Sequence, residues 1–517
     1  MLVRTMHSRF AIPLLAGVVA LATGLLPAAQ APAAAQSHPV GRSHPVDQSH
    51  PVDQSHPGTQ SHRAPTPKIG HVWTIILENK SYEATFTGLN QNSYLWKTLP
   101  SYGELLTQYY GTGHYSLDNY ISAVAGQAPA PANQADCPQY TDVAPGFPAA
   151  DGQTYAATGC VYPKQVSTIF NQLDQVGKSW KIYAQDMGND STRENAYQCG
   201  IPGSPAGAGV VDPGGATPTD QYVPKHNPAP WFHALIDNPK DCARVVPLEG
   251  LPAAGGHATV PSIEQDLKSV RTTPAFSWIS PNNCSDAHDA TCKGDNLSGD
   301  PANHQGGLYA ADLFLEKYVP MIMASPAFQQ DGVIQVIFDE AFPPYQMYGN
   351  SVADKAYAGD AALGTDSATG KPVQAEANTA QSVVACCNEL PGPNTDQPGD
   401  LAFNQDTTPG GGITGAVFIS RFITPGSISK QPYNHYSWLR STEDTFGIHT
   451  GGIDGKGHLG YAGMDGLRTF GADVYNNPQG WALRPAPSGS SVYPATASAA
   501  EAVHPKVVRR AVRVAGH

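Results

Sequence analysis

Two short apolar runs that close on carboxylates constrain this chain more than any other feature. Val72-Trp73-Thr74-Ile75-Ile76-Leu77 runs into Glu78-Asn79, and Val333-Ile334-Gln335-Val336-Ile337-Phe338 runs into Asp339-Glu340. A strand with one wet face alternates apolar and polar residues. These runs are nearly continuous, so both faces should be buried, as in a parallel sheet covered by helices. Residues 180–183, 275–279 and 416–419 read the same way. Helical spacing appears between the runs, over 117–125, 166–176, 309–323 and 436–446. Strands alternating with helices predict an α/β fold with a mostly parallel central sheet flanked by helices. Residues 343–415, rich in Gly, Ala, Pro, Asp and Asn, break the rhythm and read as a long loop-rich insertion, a lid over the site.

The ends carry different signals. Residues 1–35 place Arg4 and Arg9 before an apolar stretch, Phe10 to Leu26, and finish in Ala33-Ala34-Ala35. That is the layout of a cleaved secretory signal, so a secreted protein with no stable transmembrane anchor is expected. Residues 36–67 hold a six-residue repeat, Ser-His-Pro-Val-Asp-Gln and close variants. A Pro in each full unit and few large apolar side chains make it an extended linker rather than a core. The catalytic domain is placed at 68–484. Residues 485–517, Ala/Ser/Pro-rich and then basic, read as a disordered tail. The formal charge is −13, and −15 without the first 35 residues. An acidic chain is a poor match for a phosphate backbone, so no nucleic-acid partner is expected. The cysteines stand at 137, 160, 199, 242, 284, 292, 386 and 387. In an exported chain they suggest disulfides, with Cys137–Cys160 and Cys284–Cys292 as local pairs and the adjacent Cys386 and Cys387 ambiguous.

Ligands of open parallel sheets bind beyond the carboxyl ends of the strands. The two apolar runs would therefore deliver Glu78, Asn79, Asp339 and Glu340 to one crevice. Oxygen-rich clusters of that kind suit a divalent cation, although each acidic pair alone could simply cap a strand. In Gly113-His114-Tyr115-Ser116-Leu117-Asp118-Asn119-Tyr120, Ser116 stands at a helix start, where N–H donors and the helix dipole favour phosphate. Ser is also a common N-cap, which is the plainer explanation. Asp286-Ala287-His288-Asp289 follows a further strand run, and His226 lies in Lys225-His226-Asn227-Pro228.

These segments, with Glu78-Asn79-Lys80-Ser81, Pro281-Asn282-Asn283, Phe338-Asp339-Glu340, and His435-Tyr436-Ser437 followed by Glu443-Asp444, fall in an order that resembles the phosphoesterase family. That family holds bacterial and fungal acid phosphatases and phosphatidylcholine-type phospholipases C, within the alkaline-phosphatase-like superfamily. The resemblance spans about 68 to 480. It implies an alkaline-phosphatase-like fold and one divalent metal ion, of unknown identity, on Glu78, Asn79, Ser116, Asp339 and Glu340. It implies Ser116 as nucleophile, His288 and His226 as groups that hold phosphate or protonate the leaving oxygen, and weaker phosphate roles for His114 and Asn119. The substrate implied is a small phosphate monoester. The alternatives are cleavage of a phospholipid head group, with an aromatic entrance from Tyr109, Tyr110, Tyr115 and Trp231, or a non-enzymatic envelope-binding protein.

Overall fold

A computed structural model describes residues 67–87, 93–203, 216–253, 256–288, 292–294, 297, 306–341, 384–393, 395 and 410–480. The signal, the His-Pro repeat, the basic tail and most of the 343–415 insertion lie outside the described residues.

The central sheet has eight strands. In chain order they are β1 (His71–Leu77), β2 (Glu104–Leu106), β3 (Trp180–Ala184), β4 (Val245–Pro247), β5 (Phe276–Ser280), β6 (Gly332–Phe338), β7 (Ala416–Ser420) and β8 (Ser427–Ser429). Their spatial order is β8-β2-β7-β6-β1-β5-β3-β4. Strands β6, β1, β5, β3 and β4 run parallel, while β7 is antiparallel to both β6 and β2. The mostly parallel α/β sheet expected from the sequence is therefore present, and each of the five apolar runs is a strand of it.

Four helices matter for the site: α1 (Ser116–Ala125), α2 (Ile169–Gln175), α3 (Gly307–Met323) and α4 (His435–Thr445). Successive side chains of a strand point to opposite faces. Val72 and Ile76 of β1 accordingly join one core with Leu117 and Ile121 of α1, Leu173 of α2 and Trp438 of α4. Trp73, Ile75 and Leu77 join the other core with Phe314, Leu315 and Ile322 of α3. This double burial explains why the runs are apolar almost without a break. The polar residues of β1 and β6 are matched to each other, since Gln335 Oε1 accepts from Thr74 Oγ1 at 3.0 Å and from Trp438 Nε1 at 2.8 Å.

The two expected disulfides form, joined by Cys199–Cys242, and Cys386 pairs with its neighbour Cys387. The described part of the insertion docks beside the strand ends. Ala341 N donates to Gly411 O at 2.8 Å, and Gly111 N donates to Gly412 O at 3.1 Å. A Cβ on Gly111 would stand 2.7 Å from Asp339 O, so only glycine lets this segment lie against the end of β6.

Candidate active site

Strands β1 and β6 are in register from His71↔Gly332 to Leu77↔Phe338, so the residues that follow them emerge side by side. Glu78 and Asp339 face each other within hydrogen-bonding range, both fully buried. Asp339 Oδ1 accepts from the backbone N–H of Asn79 at 3.0 Å and of Glu340 at 2.6 Å. Glu78 Oε1 accepts from the Tyr120 hydroxyl of α1. Three oxygens remain without a hydrogen-bond partner, Glu78 Oε2, Asp339 Oδ2 and the amide oxygen Asn79 Oδ1. Burial, and next the Asp339 charge, push the Glu78 carboxyl well above the usual range, and burial also raises Asp339. Two buried carboxylates with uncommitted oxygens must share a proton or a cation. The donor set fits a hard divalent cation through carboxylate and amide oxygens. No group of three His, Cys, Asp or Glu side chains placed to ligate a metal is present among the described residues, so such a site leans on Asn79 and a hydroxyl.

Ser116 is the first residue of α1 and is buried. The turn before it is held by Glu340, whose Oε1 accepts from Tyr115 N at 2.9 Å and whose Oε2 meets His114 Nδ1. Both oxygens of Glu340 are thus committed to the turn before Ser116. Asn119 is committed as well. Its oxygen accepts from Thr112 N, Thr112 Oγ1 and Gly113 N, and its nitrogen donates to Gly113 O, Tyr115 O and Asp118 Oδ1. The helix start is also less open than the sequence suggests. Leu117 N donates to Asp136 Oδ1 at 3.1 Å, and Asp136 pairs with Lys225 Nζ at 2.8 Å. Nothing in the sequence marks Asp136 for this place, next to a disulfide and 20 residues from Ser116.

His226 stacks on the Tyr120 ring, 5.6 Å between centroids and 7° from parallel. Its ring nitrogens lie 3.1 Å from Asp286 Oδ2 and 3.5 Å from Glu78 Oε2, contacts without hydrogen-bond alignment. Burial, followed by the Lys225 and His288 charges, drives its pKa well down, so the ring is neutral. His288 is half-buried, with its ring 6.0 Å from that of His226. His435 at the start of α4 donates Nε2–H to Asp339 O at 2.6 Å, which leaves Nδ1 to accept from Tyr109 at 3.1 Å. Burial pulls its pKa down to about 4.

Three residues beside the reactive groups are non-glycines with positive φ: Asn79 at 48°, Tyr115 at 79° and Ala287 at 83°. Each such conformation costs on the order of 1–3 kcal/mol and persists only where surrounding contacts impose it. They follow Glu78 and precede Ser116 and His288.

The phosphoesterase family model matches residues 90–449. No curated protein matches the sequence. Among solved structures, a protein of the alkaline phosphatase superfamily from Vibrio parahaemolyticus is 13% identical, covering 74% of this chain and 68% of that one at a TM-score of 0.34. The PsFucS1 sulfatase from Pseudoalteromonas sp. is 10% identical, covering 79% and 74% at 0.34. Wild-type alkaline phosphatase PafA is 10% identical, covering 74% and 96% at 0.29. These scores carry no further argument. The family match begins after β1, so Glu78 and Asn79 rest on the geometry alone.

Proposed function

Because the chain belongs to the phosphoesterase family, a family of ester-bond hydrolases, we propose that it is a secreted, metal-dependent phosphomonoesterase with Ser116 as nucleophile. The observation that carries this reading is the set of orphaned buried oxygens on Glu78, Asn79 and Asp339, with Ser116 on the helix whose Tyr120 bonds Glu78.

Glu78, Asn79 and Asp339 would hold one divalent cation, with Ser116 as a further oxygen donor. When bound, the cation would lower the cost of ionising a hydroxyl and offset phosphate charge. Glu340, with both oxygens engaged, positions His114 and Tyr115 rather than binding metal. Asn119 likewise holds the turn and not the substrate. Ser116 Oγ gives up its proton to solvent and attacks phosphorus in line, and the bond from phosphorus to the leaving oxygen breaks. His288, half-exposed, gives that oxygen its proton, while His226 stays neutral, stacked on Tyr120 beside Asp286 and Glu78. Water then hydrolyses the phosphoserine. The disulfides suit an oxidising compartment, and no described helix is long and apolar enough to cross a membrane.

The phospholipase alternative needs an aromatic entrance. Tyr109, Tyr110 and Trp231 are instead buried, and Tyr109 is bonded to His435, which leaves half-buried Tyr115 alone of the four. The test pairs p-nitrophenyl phosphate with its phosphorylcholine diester, alongside metal analysis of wild type and Asp339→Asn. Monoester turnover, with metal and activity lost together in the variant, is expected. Diester turnover alone, or a variant that keeps both, contradicts the reading.

A further inference from the structure

The loop that carries His288 also builds one wall of a second cavity, polar except for Pro218. Residues 281–288 leave the end of β5 and supply Asp286 and His288, and Cys284 is bonded to Cys292, the neighbour of Lys293. Lys293 lines a cavity of 330 Å³ together with Asp186, Asn189, Thr219 and Gln221. The cavity is tied to the catalytic loop at several points. Asn282 Nδ2 donates to Asp186 Oδ2 at 2.6 Å, and Asn282 N donates to Gln185 Oε1 at 3.0 Å. Asn283 N donates to Gln221 O at 3.0 Å, and Asp286 N returns to Asn282 O at 3.0 Å.

Its place in the sheet gives the reach. Asp186 follows β3, which lies two strands from β1 in the order β1-β5-β3. Neighbouring strands are spaced about 4.8 Å apart, so the cavity begins roughly 10 Å from Glu78. A leaving group spans that distance when it is about the size of one sugar ring.

The chemistry of the walls gives the class. A carboxylate, amides, a hydroxyl and an ammonium surround the space, and Pro218 is its one apolar side chain. Nothing there compensates the desolvation of an acyl or aryl group. A polyhydroxylated alcohol does fit, because each hydroxyl both donates and accepts, matching a lining that mixes acceptors (Asp186, Thr219 and the amide oxygens) with donors (Lys293, Thr219 and the amide nitrogens).

We propose that this cavity is the leaving-group subsite and that it takes a polyol, making sugar or polyol phosphate monoesters the preferred substrate class. The inference rests on the phosphomonoesterase reading of the same site. It is tested by kcat/KM for glucose 6-phosphate and for p-nitrophenyl phosphate, in wild type and in Lys293→Ala and Asn189→Ala. Both residues are exposed, so the variants should fold. The ratio of the two kcat/KM values, sugar over aryl, is expected to favour the sugar in wild type. It should fall roughly tenfold in Lys293→Ala, the scale of a lost hydrogen bond to a charged group. A ratio unchanged in both variants, or a wild type active on the aryl ester alone, overturns the subsite and leaves the phosphomonoesterase reading standing. A wild type inactive on both esters overturns the reading and the subsite with it.

Discussion

Glu340 and Asp339 are adjacent in sequence and opposite in use. Asp339 turns an uncommitted oxygen towards Glu78, while Glu340 spends both of its oxygens on His114 and Tyr115. The sequence shows an acidic pair after a strand and cannot say which member faces which partner, because Glu340 acts on a residue 226 positions away. Asn119 misled for a related reason. Its amide is consumed by a turn that includes Gly113, where a Cβ would meet Asp118 Oδ2 at 2.5 Å. The positions of Ser116 and Glu78 in the fold, in contrast, were legible, each set by a local signal: a helix start and the end of a buried run. The division of labour predicts two different losses. Glu340→Gln should lower kcat by roughly 10–100-fold, the usual cost of disturbing a supporting partner, while metal content stays near wild type. Equal loss of metal in Glu340→Gln and Asp339→Asn would return Glu340 to the ligand set.

At the scale of elements, the long buried strands and the four helices could be read because their periods differ and their lengths suffice. Strands β2, β4 and β8, three residues each, leave no period to detect. Nor does sequence reveal that β7 enters antiparallel, since burial on both faces looks the same in either direction. One contact after α4 also escaped notice. His458 lies between Asp454, 2.6 Å from Nδ1, and Asp444, 3.1 Å from Nε2, and so ties the 448–460 loop to the helix. Burial pulls the His458 pKa down, but the two carboxylates outweigh it and the net shift is upward. A group whose folded pKa is raised contributes its stability fully below the unfolded value of about 6.5, and loses it as pH rises through the folded pKa. His458→Gln should therefore lower Tm more at pH 5.5 than at pH 9. A Tm difference that does not change with pH would show that the ion pairs contribute nothing.

At the scale of the whole molecule, the sheet acts as a comparator of strand ends. Parallel register brings Glu78 and Asp339 together, β5 hands Asp286 and His288 to the same edge, and the α1 turn is fastened across them by Glu340 and Tyr120. The residues at 78, 226, 288 and 339 are far apart in the chain and come together at the strand ends, with Ser116 at the start of the helix whose Tyr120 bonds Glu78. The order of strands and helices among the described residues was therefore readable as an alternation of runs. The packing of the 384–393 segment beside the site was not, because its composition has no period. The account's central claim is that these ends serve a serine that becomes covalently phosphorylated. Its most direct test is to quench the enzyme during turnover of p-nitrophenyl phosphate and map the phosphate by peptide mass spectrometry. The expected result is a phosphoryl group on Ser116 in wild type and on no residue in Ser116→Ala, which should retain little turnover. Substantial turnover in Ser116→Ala, with no phosphorylated peptide in wild type, would contradict it and assign the attack to water.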